Sequence, residues 1–339
     1  MDTLLSLRLF VAKHTFLLSL LLLALLSSGC VIRDMGHAVK NSIAGEHFLT
    51  TGQYEKGIDS FKEEVTSNPD SHLANFYYGR FLLVEKQYKN ALKYLVKARD
   101  LNPKKADYYF WVGVTYGSLG QKISERSNYK KALLIDKNHL QSLIYLGNNQ
   151  LQRKQYSASL LSYTKALAIW PSSPTSLYNR ALILDKLGRK PEALEGWQEY
   201  LSYYPSGAMA RLAVNHLNLL NDYSFRNHTL LSRVVTIEKI HFIPFSAEIA
   251  PDSKKSLDFI ATIAGKMKKG RLQIVVYQLT NKELAKAKAI NIKKYILSTH
   301  PNLQKKDIGV SWFATPETIK IAKKKRVIHD SVSFFITLK

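Results

Sequence analysis

Every 34 residues between about Ala38 and Gly207, the chain returns to the same kinds of side chain. Gly45, Gly79, Gly113, Gly147 and Ala181 form a row of small residues at that interval. Pro69, Pro103, Lys137, Pro171 and Pro205 form a second, and Phe61, Leu95, Tyr129, Tyr163 and Trp197 a bulky third. A fourth runs Phe48, Leu82, Tyr116, Gln150, Leu184. A fixed period of this length, held without an insertion, is what stacked helical hairpins leave in a sequence.

The residue types follow from packing. Only Gly or Ala fits where two antiparallel helices cross closely, and Ala98, Ala132 and Ala166 repeat that logic in the second helix of each pair. The bulky rows fill the space between helices, and each proline ends a helix that it cannot continue. On these rows the segment resembles the tetratricopeptide repeat family in five consecutive copies. Lys137, Gln150, Glu125 and Ser159 depart from the pattern, so the third repeat is expected to be the loosest. Such arrays expose an extended concave surface and have no chemistry of their own.

The amino terminus reads as a secretory signal. Arg8, Lys13 and His14 precede an apolar run at Phe16–Leu26, too short to span a bilayer, which needs about 20 residues. It ends Ser27-Ser28-Gly29-Cys30, and Cys30 is the only cysteine, so no disulfide forms within the chain. The ending resembles the bacterial lipoprotein box, with Ser27 where Leu is commoner. That resemblance implies acylation of Cys30, a membrane anchor there and, with Val31 next, the outer membrane facing the periplasm. A conventional signal peptide or an uncleaved anchor is the alternative.

Beyond Gly207 a capping helix is expected over Ala208–Asn221, and the polar stretch Asp222–Thr229 reads as linker. The texture then changes. Strands are predicted at Val234–Phe242, Leu272–Leu279, Ile308–Phe313 and Val332–Leu338, and helices at Pro251–Met267, Lys282–Ser298 and Pro316–Lys325. Alternation of this kind implies an α/β sandwich. Phe245-Ser246-Ala247-Glu248-Ile249 with Pro251, and Leu284–Ala289 with Ile292, resemble words of the OmpA-like domain, which binds peptidoglycan. The resemblance implies an Asp that takes the diaminopimelate ammonium and an Arg that grips a carboxylate. Thr280 and Lys288 stand at those positions, so the pocket reads as eroded.

The fold expected is thus multidomain: an all-α tetratricopeptide solenoid of five hairpins plus a capping helix, then a small α/β OmpA-like sandwich. The segments are a signal peptide (1–29), a tether (30–37), the array with its cap (38–222), a linker (223–232) and the OmpA-like domain (233–339). Family resemblance places Phe76, Phe110, Ile144 and Tyr178 on the concave side, with Arg80, Val114, Asn148 and Leu182 beside them, as a protein-binding groove. Ordinary packing also yields such rows.

Charge is uneven. The chain carries a formal +23, and from Tyr223 onward 22 Lys and Arg face 8 Asp and Glu. A basic surface fits anionic partners, or simply a solvated lysine-rich face. Aromatic platforms interleaved with Arg are not evident, so nucleic acid is not expected as a partner. No metal-ligand spacing, GxSxG, GxxxxGK or HExxH occurs, and neither an enzyme nor a cofactor is expected. The leading reading is a non-enzymatic envelope scaffold that binds protein through its groove. The alternative is a peptidoglycan-binding lipoprotein; the scaffold reading allows only weak, salt-sensitive peptidoglycan contact.

Overall fold

The computed structural model describes residues 39–266, 270–321 and 323–338. The expected signal peptide, Cys30 and the tether lie outside them. Eleven helices follow one another among the described residues: α1 (39–50), α2 (Tyr54–Ser67), α3 (His72–Val84), α4 (Tyr88–Leu101), α5 (Ala106–Ser118), α6 (Lys122–Ile135), α7 (Leu140–Gln152), α8 (Tyr156–Ile169), α9 (Pro174–Lys186), α10 (Lys190–Tyr203) and α11 (Ala208–Leu219). They form a helical repeat solenoid, and a small domain of strands follows. By their contacts the residues fall into two compact units, one ending at Asn149 and the next starting at Gln150, within α7.

Each hairpin closes the way the small-residue rows demand. A Cβ on Gly79 would lie 2.7 Å from Leu95 Cγ, and one on Gly113 2.6 Å from Tyr129 Cε1. Ala98, Ala132 and Ala166 are fully buried. The fourth row has a backbone role as well. The amides of Gln53, Gln87, Gln121, Gln155 and Arg189 donate to the carbonyls of Phe48, Leu82, Tyr116, Gln150 and Leu184 at 2.8–3.0 Å. These bonds are Schellman closures, which need a left-handed residue just before the donor. Gly52, Gly120 and Gly188 supply it in three turns; Lys86 (φ 59°) and Lys154 (φ 58°) are forced into it in the other two. Where Lys137 stands for proline, Asp136 Oδ1 accepts from the Asn138 amide at 2.9 Å, so a side-chain turn does the work of the missing ring.

In the second unit, α11 buries Ala210, Ala213, Val214 and Leu217 against Trp197, Tyr200 and Leu201 of α10, as a cap should. The carboxy-terminal part pairs β1 (Phe225–Leu230) with β2 (Arg233–Glu238) in an antiparallel hairpin. A three-stranded sheet follows, ordered β4 (Ile308–Phe313), β3 (Arg271–Gln278), β7 (Asp330–Thr337). β3 and β4 are parallel and β3 and β7 antiparallel. A 3-10 turn at Pro251–Ser253 leads into α12 (Lys254–Gly265), and α13 (Lys282–Thr299) makes the crossover between β3 and β4. Register puts Leu272, Ile274, Val276, Ile308, Val332, Phe334 and Ile336 on one sheet face, where they pack with Leu257 and Ile260 of α12 and Ala289, Ile292 and Ile296 of α13.

Two stretches differ from expectation. The presumed linker 223–232 contains β1, because two of the three residues it buries, Arg226 and His228, are polar groups partnered far along the chain, which leaves no apolar alternation to read. The helix expected at Pro316–Lys325 is instead a hairpin of β5 (Glu317–Ile321) and β6 (Lys324–Ile328), as its β-branched Thr318, Ile319, Ile321, Val327 and Ile328 favour.

The left-handed lysines generate a prediction. Lys154→Gly removes the Cβ clash, costing about 1–2 kcal/mol, against roughly 0.5–1 kcal/mol of added chain entropy in the unfolded state. The urea midpoint of the full chain should rise by the equivalent of about 0.5–1 kcal/mol with unchanged slope; a fall would show that the turn tolerates lysine without strain.

Candidate functional site

The expected groove row divides by burial. Phe76, Phe110 and Tyr178 are not open to a ligand: each is buried, and each rests on rings of neighbouring helices. Phe76 lies 4.7 Å from Tyr108, Phe110 5.1 Å from Tyr145 and 5.8 Å from Tyr129, and Tyr178 5.0 Å from Trp197, centroid to centroid. Hairpin stacking consumes these aromatics as core. Arg80, Val114, Ile144, Asn148 and Leu182 are half-buried, Leu182 packing beside the Tyr178–Leu201 cluster of the second unit.

In the first unit, accessible chemistry gathers around Arg80. Its guanidinium stacks 4.3 Å from the Trp111 ring and 5.4 Å from that of Phe76, while Nη1 donates to Glu46 Oε1 at 3.2 Å. Tyr77 donates to the same carboxylate oxygen at 3.1 Å. Burial lowers the Arg80 pKa, opposed by the charge of Glu46; its Nε is buried with no partner among the described residues. One turn before Trp111, Asp107 meets His139 Nε2 at 3.1 Å. That hydrogen bond lowers the Asp107 carboxyl against the effect of burial, and the charges of His139, Arg80 and Lys105 add to it. Tyr145, whose ring meets that of Phe110, is 42% exposed. Sequence reasoning found Arg80 but missed Trp111, Asp107, His139 and Tyr145, since only the periodic rows were read as facing the groove.

In the carboxy-terminal part the two eroded positions part company. Lys288 lines a cleft of about 200 Å³ with Lys239, Phe242, Tyr277, Gln278 and Asp330. Its ammonium donates to Gln278 Oε1 and sits 4.6 Å from the Phe242 ring. Burial lowers its pKa, with Asp330 opposing and Lys239 assisting. Thr280 does not line this cleft: it holds φ 64°, donates its hydroxyl to the Leu279 carbonyl at 2.7 Å and its amide to the Ala314 carbonyl at 3.1 Å.

Beneath lies a polar cluster that the sequence did not reveal. Arg226 of β1 forks onto Glu317 of β5 at 2.7 and 3.0 Å, and Ser331 and Ser333 of β7 each donate to that carboxylate at 2.6 Å. Burial alone would raise Glu317, but the bonds and charge of Arg226 and the two hydroxyls outweigh it and hold the carboxyl below its ordinary value. Next to it His228 is fully buried and accepts from the Phe334 amide at 3.2 Å; burial, then the Arg226 charge, hold its pKa down to about 3. Among the described residues, no group of three His, Cys, Asp or Glu could hold a metal ion, and no helix is long and apolar enough to cross a membrane.

Helical hairpins of this length and packing define a protein-interaction repeat. Family models described as tetratricopeptide repeat match residues 44–106, 106–139 and 145–213, so the chain carries tetratricopeptide repeats. Anaphase-promoting complex subunit 3 of Dictyostelium discoideum is 28% identical over 93 residues, 26% of this chain and 10% of that protein. The chain thus spans about a tenth of that curated relative. Among solved structures, PilW, described as a widely conserved type IV pilus biogenesis factor, is 16% identical, with a TM-score of 0.47 over 52% of this chain and 84% of that one. YrrB, described as a tetratricopeptide protein with an unusual peptide-binding site, is 15% identical, with a TM-score of 0.43 over 50% of this chain and 87% of that one.

The buried histidine sets a pH dependence. Its folded pKa is below the unfolded value of about 6.5, so below that pH the unfolded chain takes a proton that the native state refuses, and stability falls as pH falls. Glu317 acts in the same direction at lower pH, its contribution being lost as the carboxyl protonates. Between pH 7 and pH 4, β7 amides 330–337 should lose about 3 kcal/mol of hydrogen-exchange protection, and His228→Gln should flatten the upper part of that loss. Equal slopes for wild type and variant would show that His228 is not the titrating group.

Proposed function

We propose that the chain is a non-enzymatic scaffold whose tetratricopeptide array binds protein partners in a bacterial envelope assembly. Tetratricopeptide folds bind protein partners, and the observation that supports this use here is the Arg80 cluster. A desolvated guanidinium stacked on Trp111 and bonded to Glu46, with the Asp107 charge acting on it, offers oriented polar contacts around an aromatic anchor, and the Phe110 ring joins Trp111 to the exposed Tyr145. A photoreactive phenylalanine analogue at position 145 should cross-link a discrete partner in intact cells, whereas the same analogue at exposed Lys130 of α6 should not. Equal cross-linking at both positions, or none at 145, argues against this face.

The envelope placement rests on the residues preceding Cys30. In this reading Cys30 is acylated and anchors the chain to the outer membrane with the array in the periplasm, and the carboxy-terminal part is a divergent OmpA-like domain. A parallel strand pair joined by a crossover helix, with β7 antiparallel beside it, suits that resemblance. With Thr280 turned onto its own chain, the one carboxylate lining the cleft at Lys288 is Asp330, which already accepts from Gln278 and the Leu279 amide, so peptidoglycan contact is weak and screened by salt. Salt-resistant pelleting with purified cell-wall sacculi would instead favour the alternative of a peptidoglycan-binding lipoprotein. Metabolic labelling with an alkyne fatty acid should tag the wild type and leave Cys30→Ala unlabelled; label on both removes the anchor.

A further inference from the structure

The strand hairpin that replaces the expected helix carries an arrangement the fold does not require. Lys320, Lys323, Lys324 and Lys325 fall within six positions, and all four are exposed. Register sets Lys320 of β5 directly opposite Lys325 of β6, on the outward face. Like charges facing each other across a strand pair are destabilising. Among the described residues none of the four ammonium groups has a hydrogen bond or ion pair. The one carboxylate on the hairpin, Glu317, is turned inward and taken by Arg226, Ser331 and Ser333, so it neutralises nothing outside. Thr318 pairs with Val327 on the same outward face, and Val327 is 54% exposed.

We propose that the outward face of the β5–β6 hairpin docks on an anionic phospholipid surface. Charge complementarity calls for a partner that is negative over an area, because four point charges spread along a ribbon have no shared focus for a single anion. Lysine suits this: it is a compact charge on a flexible stem that can follow a lattice of headgroup phosphates, whereas arginine's fork selects one oxyanion at a time. The exposed Val327 sits where an apolar side chain can enter the boundary below the headgroups. β5 and β6 carry no aromatic residue on which a base could stack, which separates this face from a single-strand nucleic-acid platform. The docking stands independently of the Arg80 cluster and of acylation at Cys30.

The test uses the full chain with Cys30→Ser, so that no acyl chain contributes, in co-sedimentation with large phosphatidylcholine vesicles with and without phosphatidylglycerol. The amino-terminal segment, with its own Arg8 and Lys13, is the same in every variant, so the readout is how each variant changes the gain on adding the anionic lipid. That gain should be large at low salt and lost at high salt. Lys320→Ala with Lys325→Ala should reduce it ~30-fold, while Lys254→Ala with Lys255→Ala, an equal charge change on exposed positions of α12, should leave it near wild type. Both variants should stay folded because all four side chains are exposed, and Lys320→Ala with Lys325→Ala should unfold at or slightly above the parent's temperature because it removes a like-charge pair. Equal loss in both pairs would overturn the assignment to the hairpin. Equal binding to neutral and anionic vesicles, or preferential capture of an oligonucleotide over the anionic vesicles at the same ionic strength, would overturn the lipid surface itself.

Discussion

The close approach of paired helices, held open to nothing larger than glycine or alanine, is the constraint on which the repeats depend. At Gly79 and Gly113 a single added carbon would sit inside the van der Waals envelope of Leu95 or Tyr129. A residue of any size there would wedge its hairpin apart and move the surface that the next hairpin packs upon. The period of 34 is therefore a requirement on geometry, and it constrains the turns equally. Five Schellman closures recur at the same spacing whether the left-handed residue is glycine or lysine. Position in the repeat outranks local preference, since a lysine accepts φ near 60° where the two helices on either side leave no other path.

The same tightness decides what the array can offer a partner. When helices pack this closely, a ring placed between hairpins is absorbed by its neighbours, as Phe76 is by Tyr108 and Phe110 by Tyr145 and Tyr129. What remains reachable is the half-buried Arg80 stacked on Trp111, the Asp107 carboxylate held by buried His139, and the exposed Tyr145. Recognition through such a layer is polar and oriented, with aromatic surface as support, and the buried row contributes by holding those groups in place.

How much of this was legible follows from where the residues carry their information. The helical hairpins were readable because apolar, small and proline positions repeat, and β3 because its apolar run Ile274-Val275-Val276-Tyr277 is continuous. The groove row was readable as a row but not as buried, since spacing says which residues share a face and not what covers that face. β1 was invisible for a different reason. Its inward residues Arg226 and His228 are satisfied by groups 91 and 106 residues away in the chain, and no local pattern announces partners that distant. The hairpin β5–β6 was misread because four lysines in six residues mask the alternation of Glu317, Ile319 and Ile321 with Thr318 and Lys320.

The carboxy-terminal part shows what a buried charge is for. Removing Arg226 and Glu317 from water costs several kcal/mol per ion, and the attraction between them recovers that only because the fork is bidentate and two serines complete the carboxylate. An apolar pair could have filled the same space at less risk. What the ion pair adds is register. Glu317 can meet Arg226, Ser331 and Ser333 together in one alignment of β5 against β1 and β7, and a slip of one residue would bring Thr318 and Lys320 inward in place of Glu317 and Ile319. The lysines on the outer face are thus fixed by the carboxylate on the inner one. Satisfying the interior spends the hairpin's sole negative charge, and the cationic face outside is the electrostatic consequence.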